Sequence, residues 1–113
     1  MTRSLSAVVV VLAMAGVACD DTATGTSDYD AQISVRDNNF FPSNVTIPLR
    51  GRVLWIWSGS NPHDVFFVGQ ADAPQNCAIQ GSGLCERRFF TQGSFGYVCT
   101  LHAGMTGVVN VTP

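Results

Sequence analysis

The chain has 113 residues, of which 46% are hydrophobic and 12% charged, with a formal net charge of -2. That length and composition describe one globular domain with a real core and exclude a disordered chain. The slight acidity argues against nucleic-acid binding.

The opening segment, "MTRSLSAVVVVLAMAGVAC", carries one early cation, Arg3, then an apolar run that ends in small residues. This is the pattern of a secretory signal peptide over residues 1–18, and its apolar run is short for a membrane-spanning helix. Two cleavage readings stand. Gly16-Val17-Ala18 suits ordinary cleavage, whereas Cys19 is placed like the lipidated cysteine of a bacterial lipoprotein. The following "DDTATGTSDYD" lacks apolar periodicity and reads as a flexible tether over residues 19–30. The expected destination is outside the cytoplasm, as a periplasmic protein or a lipoprotein of a bacterium, touching a membrane only through a lipid at Cys19.

From Ala31 to Pro113 the chain reads as strands and turns. "QISVRD" alternates apolar and polar residues, and "NVTIPLRG" is β-branched until Pro48 and Gly51. "RVLWIWSG" is apolar on both faces, as befits a central strand between packed layers. "HDVFFVG", "RRFFTQG", "SFGYVC" and "TGVVNVTP" follow, separated by turn signals such as "DNN", "SGSNP" and "TQGS". The stretch "ADAPQNCAIQGSGLC" has room for a short turn of helix. Seven or eight short strands at this spacing predict an all-β sandwich. Trp55 and Trp57 are expected in its core.

Four cysteines are present: Cys19, Cys77, Cys85 and Cys99. Cys77 and Cys85 flank "AIQGSGL", whose glycines let the chain turn back, and they are expected to form a disulfide in an exported protein. Cys99 is then left over, and "CTLHAGM" sets His102 and Met105 at intervals of three after it. Thiolate, imidazole and thioether are soft and borderline ligands that suit copper. The second imidazole is His63, at the start of "HDVFFV", since the chain holds no other histidine. Cys99 and His102 as nucleophile and base would need an orienting third group, and none is visible. Thioether is a poor zinc ligand.

His63 with Cys99-x-x-His102-x-x-Met105 resembles the blue-copper cupredoxins, and the short loop after the cysteine is most similar to that of amicyanins. "FPSNVTIPLRGRVLWIW" and "FTQGSFGYVCTLHAGMTGVVNV" are similar to the family's strands on either side of the site. The resemblance implies a Greek-key sandwich holding one copper ion that cycles between Cu(II) and Cu(I). His63, Cys99 and His102 would form its plane, with Met105 as the axial ligand. It also implies a monomeric one-electron carrier, not an enzyme, that meets redox proteins transiently. His102 would be the exit for the electron, ringed by Pro62, Ala103, Phe41 and Pro42. A copper carrier or storage protein without an electron-transfer role is the alternative. One departure stands out: Asp64 follows the first histidine where the family commonly has Asn. An ionised Asp can accept hydrogen bonds from the Thr100 hydroxyl or N–H, and its charge favours Cu(II).

Overall fold

A computed structural model describes residues 28–113. The expected signal peptide, the Cys19 lipid site and most of the tether therefore lie outside the described residues. Nine strands follow one another: β1 (Ala31–Val35), β2 (Phe40–Phe41), β3 (Asn44–Pro48), β4 (Arg52–Trp57), β5 (His63–Phe67), β6 (Cys77–Gln80), β7 (Gly83–Arg88), β8 (Gly93–Val98) and β9 (Thr106–Thr112). They form a four-stranded sheet, β2-β1-β4-β7, and a five-stranded sheet, β3-β9-β8-β5-β6. Both sheets are mixed: β1 runs parallel to β4 and β3 parallel to β9, while the remaining pairs are antiparallel. The predicted all-β sandwich is what forms.

Strand periodicity builds the core. Side chains alternate between faces, so Ile33 and Val35 of β1, Val53, Trp55 and Trp57 of β4, Val65 and Phe67 of β5, Phe95 and Tyr97 of β8, and Val109 and Val111 of β9 all point inward and are buried. Trp55 packs edge-to-face on Phe67 and Tyr97, and Phe40 does the same on Tyr97. Both tryptophans are core residues, as expected. Burying each such side chain stabilises the fold by about 1.5–3 kcal/mol.

Three differences from the expected elements have physical reasons. No helix forms in Ala71–Cys85, because residues 77–80 and 83–88 turn back as β6 and β7 instead. The strand expected over "RRFFTQG" begins earlier, at Gly83, where it pairs with β4 from Trp57↔Gly83 to Arg52↔Arg88. It stops at Arg88: Phe89 turns into the core while Phe90 is left exposed. Contacts with the sandwich are also made by residues before Ala31. The Asp30 N–H donates to the Arg52 carbonyl, the Arg52 N–H donates to Asp30 Oδ2, and the Tyr29 hydroxyl donates to Glu86 Oε1. The end of the expected tether is thus fastened to β4 and β7.

Cys77 and Cys85 are disulfide-bonded, with a sequence separation of 8. Their strands are edge strands of opposite sheets, so the bond ties the two layers along one side of the sandwich. Closing so short a loop removes denatured-state entropy worth about 2–3 kcal/mol. Replacing both residues by Ser should lower the melting temperature by about 10–20 °C, given about 4–8 °C per kcal/mol for a domain of this size. Thermal unfolding followed by circular dichroism checks this. A change of only a degree or two would mean that the sandwich edge holds without its covalent tie.

Candidate metal centre

The same alternation that fills the core delivers the site. Cys99 follows Phe95 and Tyr97 in the inward row of β8, one residue beyond the strand's end, and His63 precedes Val65 and Phe67 in the inward row of β5. The two strands are antiparallel neighbours, paired Phe66↔Val98 and Phe67↔Tyr97. Continued toward the pole, this register sets Val65 against Cys99 and Asp64 against Thr100. Two donor side chains therefore enter the interior at one end of the sandwich, from strands already locked by the core.

His102 comes from the loop between β8 and β9, and its spacing has a backbone cause. The His102 N–H donates to the Cys99 carbonyl at 3.4 Å, and the Met105 N–H donates to the His102 carbonyl at 3.2 Å. Two successive four-residue turns thus place Cys99, His102 and Met105 at their corners. The Cys99 N–H closes the loop on the Met105 carbonyl at 2.9 Å. Gly104, in the second turn, has φ +82° with open space around it, so the left-handed backbone, not crowding, favours glycine there.

The donor atoms converge. Cys99 Sγ lies 3.7 Å from His63 Nδ1 and 3.5 Å from His102 Nδ1, and the two Nδ1 atoms are 3.1 Å apart. A point equidistant from all three lies about 2.0 Å from each, close to the usual bond lengths of about 2.0–2.1 Å for imidazole nitrogen and about 2.3 Å for thiolate on a metal such as zinc. These residues form a group able to hold a metal ion. His63 and Cys99 are buried, and Cys99 is a free thiol, while His102 is partly exposed. Met105 is 1% exposed and belongs to the same core cluster as Cys99. Two imidazoles and a thiolate, with a thioether on the same short loop, form a donor set suited to copper.

The surroundings fasten the donors. Asp64 is buried, and its carboxylate accepts the Thr100 N–H and the Thr100 hydroxyl, each at 2.7 Å. The carboxylate thus makes both ties open to it, joining the His63 strand to the Cys99 loop. The indole N–H of Trp57 donates to the His63 carbonyl at 3.0 Å and holds the backbone of that residue. Asp37 Oδ1 accepts the N–H groups of Ser60 and Asn61 and lies 3.4 Å from His63 Nε2. These contacts hold the Asp37 carboxyl below its usual range, the Asn61 N–H foremost. Sequence reading misses both supports. Trp57 reads as plain core, and Asp37 as a turn residue in "DNN". Leu101 and Ala103, which flank His102 in the chain, are both exposed, and so are Pro62, Phe41 and Pro42.

No sequence-family profile matches the chain, and no curated protein matches it by sequence. Solved structures do. A novel purple cupredoxin from Nitrosopumilus maritimus superposes with a TM-score of 0.65 at 24% identity, over 74% of this chain and 100% of its own. An amicyanin mutant in its reduced Cu(I) form gives 0.67 at 21%, over 78% of this chain and 87% of its own. The chain has the cupredoxin fold. A copper-containing nitrite reductase from Thermus scotoductus matches at 0.66 and 20%, over 80% of this chain but 25% of the enzyme. The cupredoxin fold thus occurs both as a small free-standing protein and as part of a larger enzyme. At these identities the likeness concerns the fold, and the reading of the site rests on its own donors.

Proposed function

We propose that the chain is a one-electron carrier built on a mononuclear type 1 copper site. The observation that carries this reading is the convergence of two imidazole Nδ1 atoms and a free buried thiol on one point. His63, Cys99 and His102 would hold the ion, with Met105 as the axial ligand. Bound copper would supply the chemistry by alternating between Cu(II) and Cu(I). The chain's own part is to keep the donors still. The β5 and β8 rows fix His63 and Cys99, two turns fix His102, and the Asp64–Thr100 tie prevents the loop from moving away. A site held in this way changes little between oxidation states, which suits rapid electron exchange.

Burial favours a carrier of electrons over a carrier of copper. Two donors are closed off from solvent, whereas handing over a metal ion needs access to its ligands. His102 is the donor nearest the surface, and the exposed apolar residues beside it suit brief docking of a redox protein. The disulfide supports a location outside the cytoplasm. Titration with Cu(II) should saturate at one ion per chain and produce an intense visible thiolate-to-copper band, with a reversible one-electron wave in voltammetry. Stoichiometric copper without that band and wave, removed readily by a mild chelator, would favour the storage reading.

A further inference from the structure

Asp37 lies 26 residues before His63, in the connection between β1 and β2, yet its carboxylate reaches the far side of the His63 ring. The ring is fully buried, so its Nε2 has no access to water. Asp37 Oδ1 sits 3.4 Å from that nitrogen. The oxygen does not wander. It accepts the Ser60 N–H at 2.8 Å and the Asn61 N–H at 2.9 Å, which fixes both the carboxylate and the loop leading into β5. Gly59 completes the cradle: a Cβ there would stand 2.2 Å from Oδ1, so a side chain would displace the acid.

Resting on the copper reading above, we propose that Asp37 is a positioning residue for the metal site, holding His63 by its remote nitrogen and biasing the site toward the more positive oxidation state. The physical reason is twofold. An acceptor at Nε2 keeps the proton there, so that Nδ1 presents its lone pair to the ion. A carboxylate does this with a full negative charge. It makes the imidazole a stronger donor and favours the dication over the monocation. A neutral acceptor in the same place would orient the ring without that bias.

Asp37→Asn separates the two effects, because the Asn oxygen can still accept the same N–H groups while the charge is gone. Loss of such outer partners commonly weakens metal binding by about 10–100-fold. A tenfold loss confined to Cu(II) would raise the potential by about 59 mV for a one-electron couple. We expect Asp37→Asn to melt close to wild type, keep the thiolate band, and show a potential raised by that order. A folded variant with unchanged Cu(II) affinity and potential would overturn the proposal. Nitrogen NMR of His63 in the copper-free wild-type protein gives a second reading that needs neither the variant nor the metal. It should show the Nε2–H tautomer, and a ring protonated at Nδ1 alone would equally overturn the proposal. A wild-type protein that takes up no copper would instead remove the parent reading, with the tautomer still reporting on Asp37.

Discussion

Replacing Cys99 by Ser should abolish the visible copper band altogether while leaving a folded protein. The thiolate is the one donor in the group that carries negative charge, and its sulfur orbitals would be the source of the charge-transfer absorption. A serine hydroxyl stays protonated at neutral pH and is a hard, weak ligand for copper. Cys99 makes no disulfide, so no covalent tie is lost. Its structural role lies in the backbone, where its N–H bonds to the Met105 carbonyl and its carbonyl receives the His102 N–H. Serine preserves both. Burying a hydroxyl at a site 3% exposed costs about 1–3 kcal/mol without a new partner, which is tolerable for a sandwich already cross-linked between its layers. Absorption spectra after Cu(II) addition, with circular dichroism to confirm the fold, make the measurement. An intense band surviving in the variant would show that the light-absorbing ligand is another residue, and the assignment of the plane would have to be abandoned.

Much of this site was legible because it is local or follows the strand period. Cys99, His102 and Met105 share one short loop, and their spacing matches the two turns that form it. His63 could be found because the chain has only one other histidine and because it begins a strongly apolar strand. What escaped was whatever depends on distant segments meeting. Asp37 has the sequence context of an ordinary turn, and only the β1-β4 pairing brings it beside Ser60, Asn61 and His63. Trp57 looked like filler because its side-chain volume is core-like, whereas its N–H is committed to the His63 carbonyl. Two strands were missed for a different reason. β2 has two residues, too few to show a period, and β6 exposes Ala78 and Ile79 while burying only Cys77, so its pattern is faint. There the disulfide and the pairing with β5 supply what periodicity does not.

Among the polar groups around the site, Asp64→Ala should carry a large cost to stability. Asp64 is 7% exposed and accepts two hydrogen bonds at 2.7 Å from Thr100, one from the backbone and one from the hydroxyl. Hydrogen bonds to a charged partner contribute about 1.5–3 kcal/mol each. Thr100 itself is exposed, so water can take up part of the loss, and the lower end of that range applies. The expected sum is about 3 kcal/mol, or a fall of about 12–24 °C in melting temperature for a domain of this size. The loop carrying His102 should also loosen, because its first residue after Cys99 loses its anchor to β5. Asp64→Asn provides the contrast. Its carbonyl oxygen can accept the Thr100 N–H, and its amide can donate to the hydroxyl oxygen, so the tie persists with little loss of stability. Only the negative charge is removed, and the potential should rise because Cu(II) loses more favourable interaction than Cu(I). Thermal unfolding of both variants, with voltammetry of the Asn variant, tests each half. If Asp64→Ala melted within a few degrees of wild type, the contacts to Thr100 would have no clamping role, and the rigidity of the loop would have to come from its own two turns.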